Sequence, residues 1–432
     1  MRSGCLFSSI AMLLVVLAVF LFAFSSCSGD GEVPVEKQKT EVLYVYNWGE
    51  YISDGSEESL DTNAEFEAYC KEVLGRNVEV NYSTFSSNED LYAKISSGAV
   101  AYDVIIPSDY TIERMVGEGL IRPLDLDKIP NYRYISDDFK GENVYYECGR
   151  EETYSIPYFY GMIGVIYNTD IVAEEDAEAE SWDLLWNENY RGDILQFNNS
   201  RDAFGTALYK LGYSVNEATD EEWLEALELL KAQKDLVQSY VMDEIFNKMK
   251  SGSAAISSYY AGDFFTMYED NDALAFYYPV EGTNSYVDCM CITSNAPHPD
   301  LAYEYINFLC RPDIALANAA YTYYASPLDL DYIEEEGEYL DALEEYRESM
   351  EDVHEDAMDI LYGETAQSVK TEAYLNLSPE GLERINSLWE ELKVESSIGT
   401  GIYVLCAIIL ACLVALAVFL FVRKRKREKL YD

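Results

Sequence analysis

The sequence predicts a mixed α/β fold arranged in two lobes. Strand-like and helix-like stretches alternate from residue 42 to residue 106, which is the βαβ pattern of a parallel sheet. A second series of strand-like stretches begins at residue 156. With 432 residues, the chain is longer than one hydrophobic core usually organises. We therefore expect two lobes, each built on an α/β sheet.

The elements of the first series follow from residue type and spacing. Runs of β-branched and aromatic residues predict strands at 42–46, 78–82 and 102–106. The stretches between them predict helices near 56–74 and 88–95.

Further helices are predicted along the rest of the chain. A capping box spans residues 219–222 and predicts the start of an amphipathic helix. Ser378 and Pro379 predict the start of another helix near the end of the chain. The acidic stretch 329–359 is expected to form an exposed helical segment.

The N-terminus has the pattern of an export signal. Arg2 precedes an apolar run that extends from residue 5 to residue 24, and Ser-Ser-Cys follows at 25–27. A hydrophobic stretch that ends in this way resembles a bacterial lipoprotein signal, which implies that residues 1–27 are the signal and that Cys27 is lipidated. An uncleaved N-terminal anchor is the alternative. Residues 28–41 are expected to form a polar linker.

The C-terminus predicts a transmembrane helix. Residues 402–422 are apolar, and 21 residues at about 1.5 Å each span the core of a bilayer. By the positive-inside rule, the basic tail at 423–432 stays in the cytoplasm. Residues 28–400 are therefore expected on the extracytoplasmic face of a bacterial cell membrane, in the periplasm or at the cell surface, with 397–401 as a linker to the span.

The expected extracytoplasmic part is strongly acidic. Seven of the 30 Lys and Arg residues and two of the 79 Asp and Glu residues lie outside it, which leaves 23 against 77 and a net charge of −54. Such a field repels nucleic acid and anionic lipid headgroups and attracts cations. We therefore expect no nucleic-acid partner, and the charge favours a cationic ligand.

The sequence lacks the motifs of common catalytic sites. It has no Walker A loop and no G-x-G-x-x-G, H-E-x-x-H or G-x-S-x-G motif. Its two histidines are His298, between two prolines, and His354, in the acidic stretch, so a histidine-based active site is not expected. No cysteine spacing typical of zinc sites occurs. We expect a protein that is not an enzyme and that needs no metal or cofactor.

Five cysteines fall in the expected extracytoplasmic part. They are Cys70, Cys148, Cys289, Cys291 and Cys310. Because their number is odd and two of them lie in one strand-like run, we expect mostly buried thiols. One disulfide among them is the alternative.

Residues 46–51 join a strand end to an aromatic and acidic turn. Trp48 and Tyr51 lie beside Glu50, and ring faces next to a carboxylate attract an organic cation. The ends of strands are also where α/β proteins hold ligands. A core strand followed by an ordinary aromatic turn is the alternative.

This turn is one of six stretches that together resemble one family. They are residues 46–51, 102–110, 154–158, 208–214, 284–288 and 307–313. In this order, and over about residues 42–395, the chain is similar to the extracytoplasmic spermidine/putrescine-binding proteins of ABC transporters. The resemblance implies a two-lobed periplasmic-binding-protein fold of type II. It also implies that the cleft between the lobes closes over a polyamine, which is then delivered to an ABC permease and its ATPase subunits.

The resemblance also suggests the division into lobes. Lobe 1 is expected to comprise residues 42–157, with about 288–325 returning to it. Lobe 2 is expected to comprise residues 158–287 together with about 326–396. We expect the protein to be a monomer.

The same resemblance implies nine ligand-binding residues. They are Trp48, Tyr51, Ser108, Tyr110, Asp202, Tyr260, Tyr286, Asp288 and Tyr324. Asp202 and Asp288 would hold ammonium groups, while the rings would line the methylene chain. Asn199 stands where the spermidine-preferring type has a second carboxylate, and Tyr260 and Tyr286 stand at tryptophan positions. The preference between putrescine and spermidine therefore stays open.

Two other functions fit the same features. A related protein of the same fold would bind another cationic solute, or ferric ion through tyrosinates near Tyr323 and Tyr324. A membrane-tethered solute sensor is the second alternative, although its tail at 423–432 is too short for a signalling domain.

Overall fold

A computed structural model describes residues 39–141, 146, 152–394 and 408–409. The expected signal segment with Cys27, residue Cys148 and the basic tail lie outside these residues. The expected span 402–422 also lies outside them, apart from Ile408 and Ile409. Within the described ranges, no helix has both the length and the apolar character needed to cross a membrane.

Ten strands form the β-structure of the described residues. They are β1 (Glu41–Trp48), β2 (Val78–Phe85), β3 (Val104–Ile105), β4 (Ile156–Asn168), β5 (Ile194–Phe197), β6 (Val237–Val241), β7 (Ile256–Tyr260), β8 (Leu274–Tyr277), β9 (Thr283–Ile292) and β10 (Thr371–Ala373). The strands predicted at 42–46 and 78–82 are confirmed within β1 and β2. The strand predicted at 102–106 is shorter, because only Val104 and Ile105 lie in register with β1.

The α-helices of the described residues follow the expected alternation with strands. They are α1 (Thr62–Glu72), α2 (Asn88–Ser96), α3 (Asp109–Glu118), α4 (Glu174–Ala177), α5 (Ser200–Leu211), α6 (Asp220–Lys234), α7 (Glu244–Lys250), α8 (Ala261–Tyr268), α9 (Pro299–Leu309), α10 (Pro312–Thr322), α11 (Leu330–Glu336), α12 (Leu340–Val353), α13 (Ala357–Leu361), α14 (Glu364–Ser368) and α15 (Pro379–Val394). The capping box predicted at the start of α6 is confirmed, since Thr219 and Glu222 each accept a hydrogen bond from the backbone N–H of the other.

The strands follow the order β2-β1-β3-β9-β4-β7-β5-β6, with β8 beside β4 and β10 beside β9. Strand β3 runs parallel to β1, and both β6 and β7 run parallel to β5. Strand β9 is antiparallel to β3 and β4, and β4 is antiparallel to β7. The sheet is therefore mixed. The parallel arrangement predicted from the first series of strands is confirmed for β1 and β3, and the antiparallel strands β4 and β9 lie outside that prediction. Local hydrophobic periodicity does not encode the direction of a strand that returns from far along the chain.

Strands β4 and β9 connect the two ends of the sheet. Strand β4 pairs with β9 through residues 156–162 and with β7 and β8 through residues 163–168. Strand β9 pairs with β3 through its last two residues. We call β2-β1-β3 with its helices the first half, and β7-β5-β6 with its helices the second half. The predicted lobe boundaries at 157/158 and 287/288 fall within these two connecting strands, and the division into lobes stays a prediction.

The acidic stretch 329–359 is helical, but it is not exposed on all sides. It contains α11, α12 and the first part of α13, and α12 packs against α10. Leu343, Tyr346 and Met350 are buried on α12. Their spacing of three and four residues forms one apolar stripe, and the acidic side chains occupy the opposite face. The prediction of an exposed segment is therefore wrong for this stripe.

The cysteines of the described residues agree with the prediction of buried thiols. Cys70, Cys289, Cys291 and Cys310 are all buried thiols. Cys289 and Cys291 lie in β9, and the Tyr146 hydroxyl is 3.2 Å from the Cys289 sulfur. The disulfide alternative has no support in the part of the chain that the structure describes.

Candidate functional site

A cavity of about 870 Å³, including its opening to solvent, lies where the two halves of the sheet meet. Residues that follow β1 and β3 contribute its walls from the first half, and residues that follow β5 and β7 contribute from the second half. Ligand sites in α/β proteins commonly lie at such strand ends. All nine predicted binding residues line this cavity, so the fold brings together side chains from 48 to 324 in the sequence.

The turn after β1 supplies an aromatic wall. Glu50 has a left-handed φ of 50°, which is uncommon for a residue other than glycine. The turn places Tyr51 in the interior, where its ring meets Tyr324 edge to face with 4.6 Å between the ring centroids. The centroids of the Trp48 and Phe85 rings are 4.4 Å apart. These rings give the ligand an apolar surface with an electron-rich face.

Four buried carboxylates line the cavity: Asp109, Asp202, Asp263 and Asp288. Asp109 accepts hydrogen bonds from the backbone N–H groups of Tyr110 and Val287. Asp288 lies on β9. The Tyr51 hydroxyl donates to its Oδ2 at 2.7 Å, and the Ser108 hydroxyl donates to its Oδ1 at 2.6 Å. Ser108 is the N-cap residue of α3, but its hydroxyl contacts Asp288 and does not cap the helix. Burial raises the pKa of Asp288 to about 6, against the opposing effect of the two hydroxyls. A carboxylate has further lone pairs with which to accept an ammonium group.

Asp202 lies in the first turn of α5. The Asn199 side chain caps this helix by accepting from the Asp202 N–H at 2.8 Å, and its Nδ2 donates to Asp202 Oδ2 at 2.7 Å. The Tyr260 hydroxyl donates to the same oxygen at 2.8 Å. Burial raises the pKa of Asp202, and these hydrogen bonds oppose the rise. Asn199 therefore orients Asp202 without adding a second charge.

Asp263 is a buried carboxylate of the cavity that is not among the predicted binding residues. It lies in the first turn of α8 and accepts a hydrogen bond from the Tyr324 hydroxyl at 2.7 Å. Burial raises the pKa of Asp263 to about 8, and the negative charges of Asp243 and Glu50 raise it as well. Gly262 allows this contact, because a Cβ there would come within 2.9 Å of the Tyr324 ring.

A sequence signal for Asp263 exists. Asp202 follows Asn199, the N-cap residue of α5, by three positions, shortly after β5. Asp263 follows Tyr260, the N-cap residue of α8, by the same three positions after β7. Tyr260 is among the predicted binding residues, whereas Asp263 is not. An acidic residue in the first helical turn after a strand is the pattern that both positions share.

The remaining rings close the cavity. Tyr260 and Tyr286 meet edge to face at 5.4 Å. The Tyr286 hydroxyl lies against Gly161, and a Cβ at position 161 would come within 2.7 Å of the hydroxyl oxygen. Among the described residues, this hydroxyl has no hydrogen-bond partner. The Tyr110 hydroxyl accepts from Asn88 Nδ2 at 3.0 Å. Tyr286 therefore contributes its ring to the cavity wall, while Tyr110 is held by its hydroxyl.

The tyrosine-bonded carboxylates of the cavity form no ion pair, although the charge of the neighbouring Arg201 opposes the rise in the pKa of Asp202. Within the described part of the chain, no lysine or arginine forms an ion pair with Asp202, Asp263 or Asp288. A buried carboxylate is stable only when it is paired, hydrogen-bonded or protonated. Aromatic walls and buried carboxylates that are hydrogen-bonded but form no ion pair are therefore complementary to an organic cation that carries more than one positive charge.

The arrangement gives little support to a metal site. Among the described residues, no group of three His, Cys, Asp or Glu side chains is placed to hold a metal ion. Burial and the neighbouring Asp263 raise the pKa of Tyr324 well above its usual value. Tyr324 is therefore a neutral hydrogen-bond donor at neutral pH, whereas iron coordination requires a tyrosinate.

Comparison with known proteins gives matches over most of the chain. Residues 64–334 match the model of the family described as bacterial extracellular solute-binding protein. The spermidine/putrescine-binding periplasmic protein of Escherichia coli (strain K12) is 32% identical over 286 residues, which cover 66% of this chain and 77% of that protein. A putrescine/cadaverine-binding protein of Pseudomonas aeruginosa is 25% identical over 371 residues, which cover 82% of this chain and 94% of that protein.

Solved structures share the fold. A putative spermidine/putrescine ABC transporter protein from Listeria monocytogenes has a TM-score of 0.68 and 29% identity, and the match covers 82% of this chain and 98% of that one. A spermidine/putrescine ABC transporter substrate-binding protein from Streptococcus pneumoniae has a TM-score of 0.62 and 29% identity, with 82% and 99% covered.

Proposed function

Because the chain belongs to the family of bacterial extracellular solute-binding proteins, we propose that it binds polyamines of the putrescine and spermidine type for uptake by an ABC transporter. Its relatives are binding proteins that bear the names of these amines, and none of those named is an enzyme. The proposed role is capture of the amine outside the cytoplasm and its delivery to a membrane permease with ATPase subunits.

The observation that carries this proposal is that three of the buried carboxylates in one aromatic cavity are held by tyrosine hydroxyls. Asp202, Asp263 and Asp288 each accept a hydrogen bond from a tyrosine hydroxyl. These hydroxyls fix the direction of the carboxylates and leave lone pairs for the ligand. The tyrosine rings themselves form the apolar surface between the charges.

This arrangement matches the chemistry of a polyamine. Putrescine and spermidine are methylene chains with two or three ammonium groups, so a receptor needs separated carboxylates and an apolar lining between them. A charge-assisted hydrogen bond contributes about 1.5–3 kcal/mol, and a cation–π contact contributes about 0.5–2 kcal/mol. Exclusion of water from the closed cavity strengthens both interactions.

In the proposed mechanism, two lobes close over the amine without any covalent step. Residues 42–157 with about 288–325 form lobe 1, and residues 158–287 with about 326–396 form lobe 2. Strands β4 and β9 serve as the hinge, because they are the strands that connect the two ends of the sheet. The closed form docks on the permease, and transport reopens it.

The proposed location is the outer side of the cytoplasmic membrane. A lipid on Cys27 and a membrane span at 402–422 would both anchor the protein there as a monomer. The support for both anchors is the hydrophobic pattern of the sequence.

Thermal unfolding with a matched pair of ligands tests the proposal. Putrescine and butane-1,4-diol have the same four-carbon chain, but only putrescine carries ammonium groups. Millimolar putrescine or spermidine is expected to raise the Tm by several degrees, because a ligand that binds only the native state at about 100 times its Kd adds about 2.7 kcal/mol. The diol is expected to leave the Tm unchanged. An equal effect of diol and diamine, or no effect of any amine, contradicts the proposal.

A further inference from the structure

Arg201 is a buried cation next to the cavity. The proposed binding site assigns no role to it. It precedes Asp202 in α5, it is 5% exposed, and it is not among the residues that line the cavity. Its guanidinium carbon lies 4.5 Å from the ring centroid of Tyr374 and 5.2 Å from that of Tyr110. Its Nη1 has no hydrogen-bond partner among the described residues. The guanidinium therefore packs against two aromatic rings.

The first of these rings belongs to a short segment, residues 374–376, that is fixed to the second half. Arg201 Nη2 donates to the Leu375 carbonyl at 3.3 Å, and the Tyr374 hydroxyl donates to the Arg201 carbonyl at 3.1 Å. The Leu375 N–H donates to the Asn216 side chain at 2.8 Å. Three hydrogen bonds thus hold the segment 374–376 on α5 and the chain that follows it.

The same segment reaches α3 in the first half. The Asn376 N–H donates to Glu113 Oε2 at 2.8 Å. The Tyr374 ring meets the Tyr110 ring edge to face, with 6.1 Å between the centroids. Together with the contact of Arg201 on Tyr110, these interactions cross from one half of the molecule to the other beside the cavity.

We propose that Arg201 and residues 374–376 form a clasp that holds the cavity closed by contacting Tyr110 and Glu113 of α3. Tyr110 and Tyr374 line the cavity, whereas Arg201 and Glu113 do not, so substitutions at the latter two positions leave the lining side chains in place. The contacts to α3 break when the two halves separate, and the clasp therefore favours the closed form and slows release of the ligand. This inference rests on the hinge closure of the proposed function.

Two variants and a matched control test the clasp in the full-length protein. Glu113→Ala removes the acceptor of the Asn376 N–H, and Arg201→Lys keeps the charge but removes the planar group that stacks on the rings. Glu118→Ala changes an exposed glutamate on the same helix that is paired with Arg114. Hydrogen exchange at residue 376 is measured without ligand, and the dissociation rate of putrescine is measured by stopped flow.

The clasp predicts faster exchange and faster release in both variants. A hydrogen bond to a charged acceptor corresponds to about a tenfold effect or more, so Glu113→Ala is expected to accelerate exchange at residue 376 and putrescine dissociation about tenfold. Arg201→Lys is expected to accelerate both by a smaller factor, and Glu118→Ala to leave both unchanged. Exchange or dissociation in Glu113→Ala equal to wild type overturns the clasp. If wild type binds no putrescine, the proposed function fails, and the ligand-free exchange rates still decide whether the clasp exists.

Discussion

Asp288→Asn is expected to weaken putrescine and spermidine binding by about 100-fold, because it removes a buried charge that accepts an ammonium group. A charge-assisted hydrogen bond contributes about 1.5–3 kcal/mol, and about 2.7 kcal/mol corresponds to a factor of 100. Asparagine has the same size and still accepts a hydrogen bond from Tyr51 or Ser108. Calorimetric titration of each amine into the variant measures the loss.

The stability of this variant separates a binding role from a structural one. The pKa of Asp288 is raised to about 6 by burial, so its ionised form destabilises the folded state at neutral pH by on the order of 3 kcal/mol relative to an unperturbed aspartate. Replacing it with a neutral side chain removes this penalty. The free energy of unfolding in urea is therefore expected to stay equal or to rise while binding falls.

A surface aspartate provides the control for this change. The side chain of Asp300, in the first turn of α9, is 83% exposed and lies outside the cavity. Asp300→Asn is expected to bind both amines as wild type does. Affinity of Asp288→Asn within threefold of wild type would exclude Asp288 as an ammonium ligand.

Polyamine affinity is expected to rise about tenfold per pH unit between about pH 6 and pH 8. The pKa of Asp263 is raised to about 8 and that of Asp288 to about 6, in both cases first by burial. Over this range, Asp263 is protonated in the ligand-free protein while Asp288 is ionised. An ammonium group binds the carboxylate form, so each binding event releases about one proton and affinity changes by a factor of about ten per unit. Below about pH 6, Asp288 is also protonated in the ligand-free protein. Binding then releases a second proton, and the affinity changes more steeply with pH.

The raised pKa of Asp263 also predicts that the stability of the ligand-free protein falls as pH rises. An unfolded aspartate loses its proton near pH 4, whereas folded Asp263 keeps it up to about pH 8. The folded state binds more protons between these values, and its stability therefore falls as pH rises through them. Ligand affinity and ligand-free stability thus move in opposite directions with pH.

Calorimetry in two buffers with different heats of ionisation counts the released protons directly. Asp263→Asn serves as the matched variant and is expected to remove the proton release between about pH 6 and pH 8. A wild-type affinity that is constant over this range would contradict the role assigned to Asp263.

The cavity was largely predictable because its side chains lie in short local motifs. Trp48 and Tyr51 share one turn, and Ser108 and Tyr110 share one helix start, so a few residues of sequence suffice to identify each pair. Asp263 was missed because the chain contains 79 acidic residues and composition alone does not distinguish a buried carboxylate. Its burial depends on Tyr324, which lies 61 residues later.

The fold was predictable where the pattern is local and not where it depends on distant pairing. The capping box at Thr219 fixed the start of α6 without tertiary information. The antiparallel pairing of β4 with β9 joins residues more than 120 positions apart, and hydrophobic alternation is the same for either strand direction. The contact between Tyr51 and Asp288 spans 237 positions and likewise follows only from the assembled sheet.

The most direct test of polyamine binding is a calorimetric titration of putrescine and spermidine into the purified wild-type protein at about pH 7.5. The cavity geometry predicts saturable binding of one amine per protein with a Kd of about micromolar or tighter, and no heat of binding for butane-1,4-diol. Absence of heat with both amines at millimolar concentration, from a protein whose circular dichroism shows an intact α/β fold, would contradict the account.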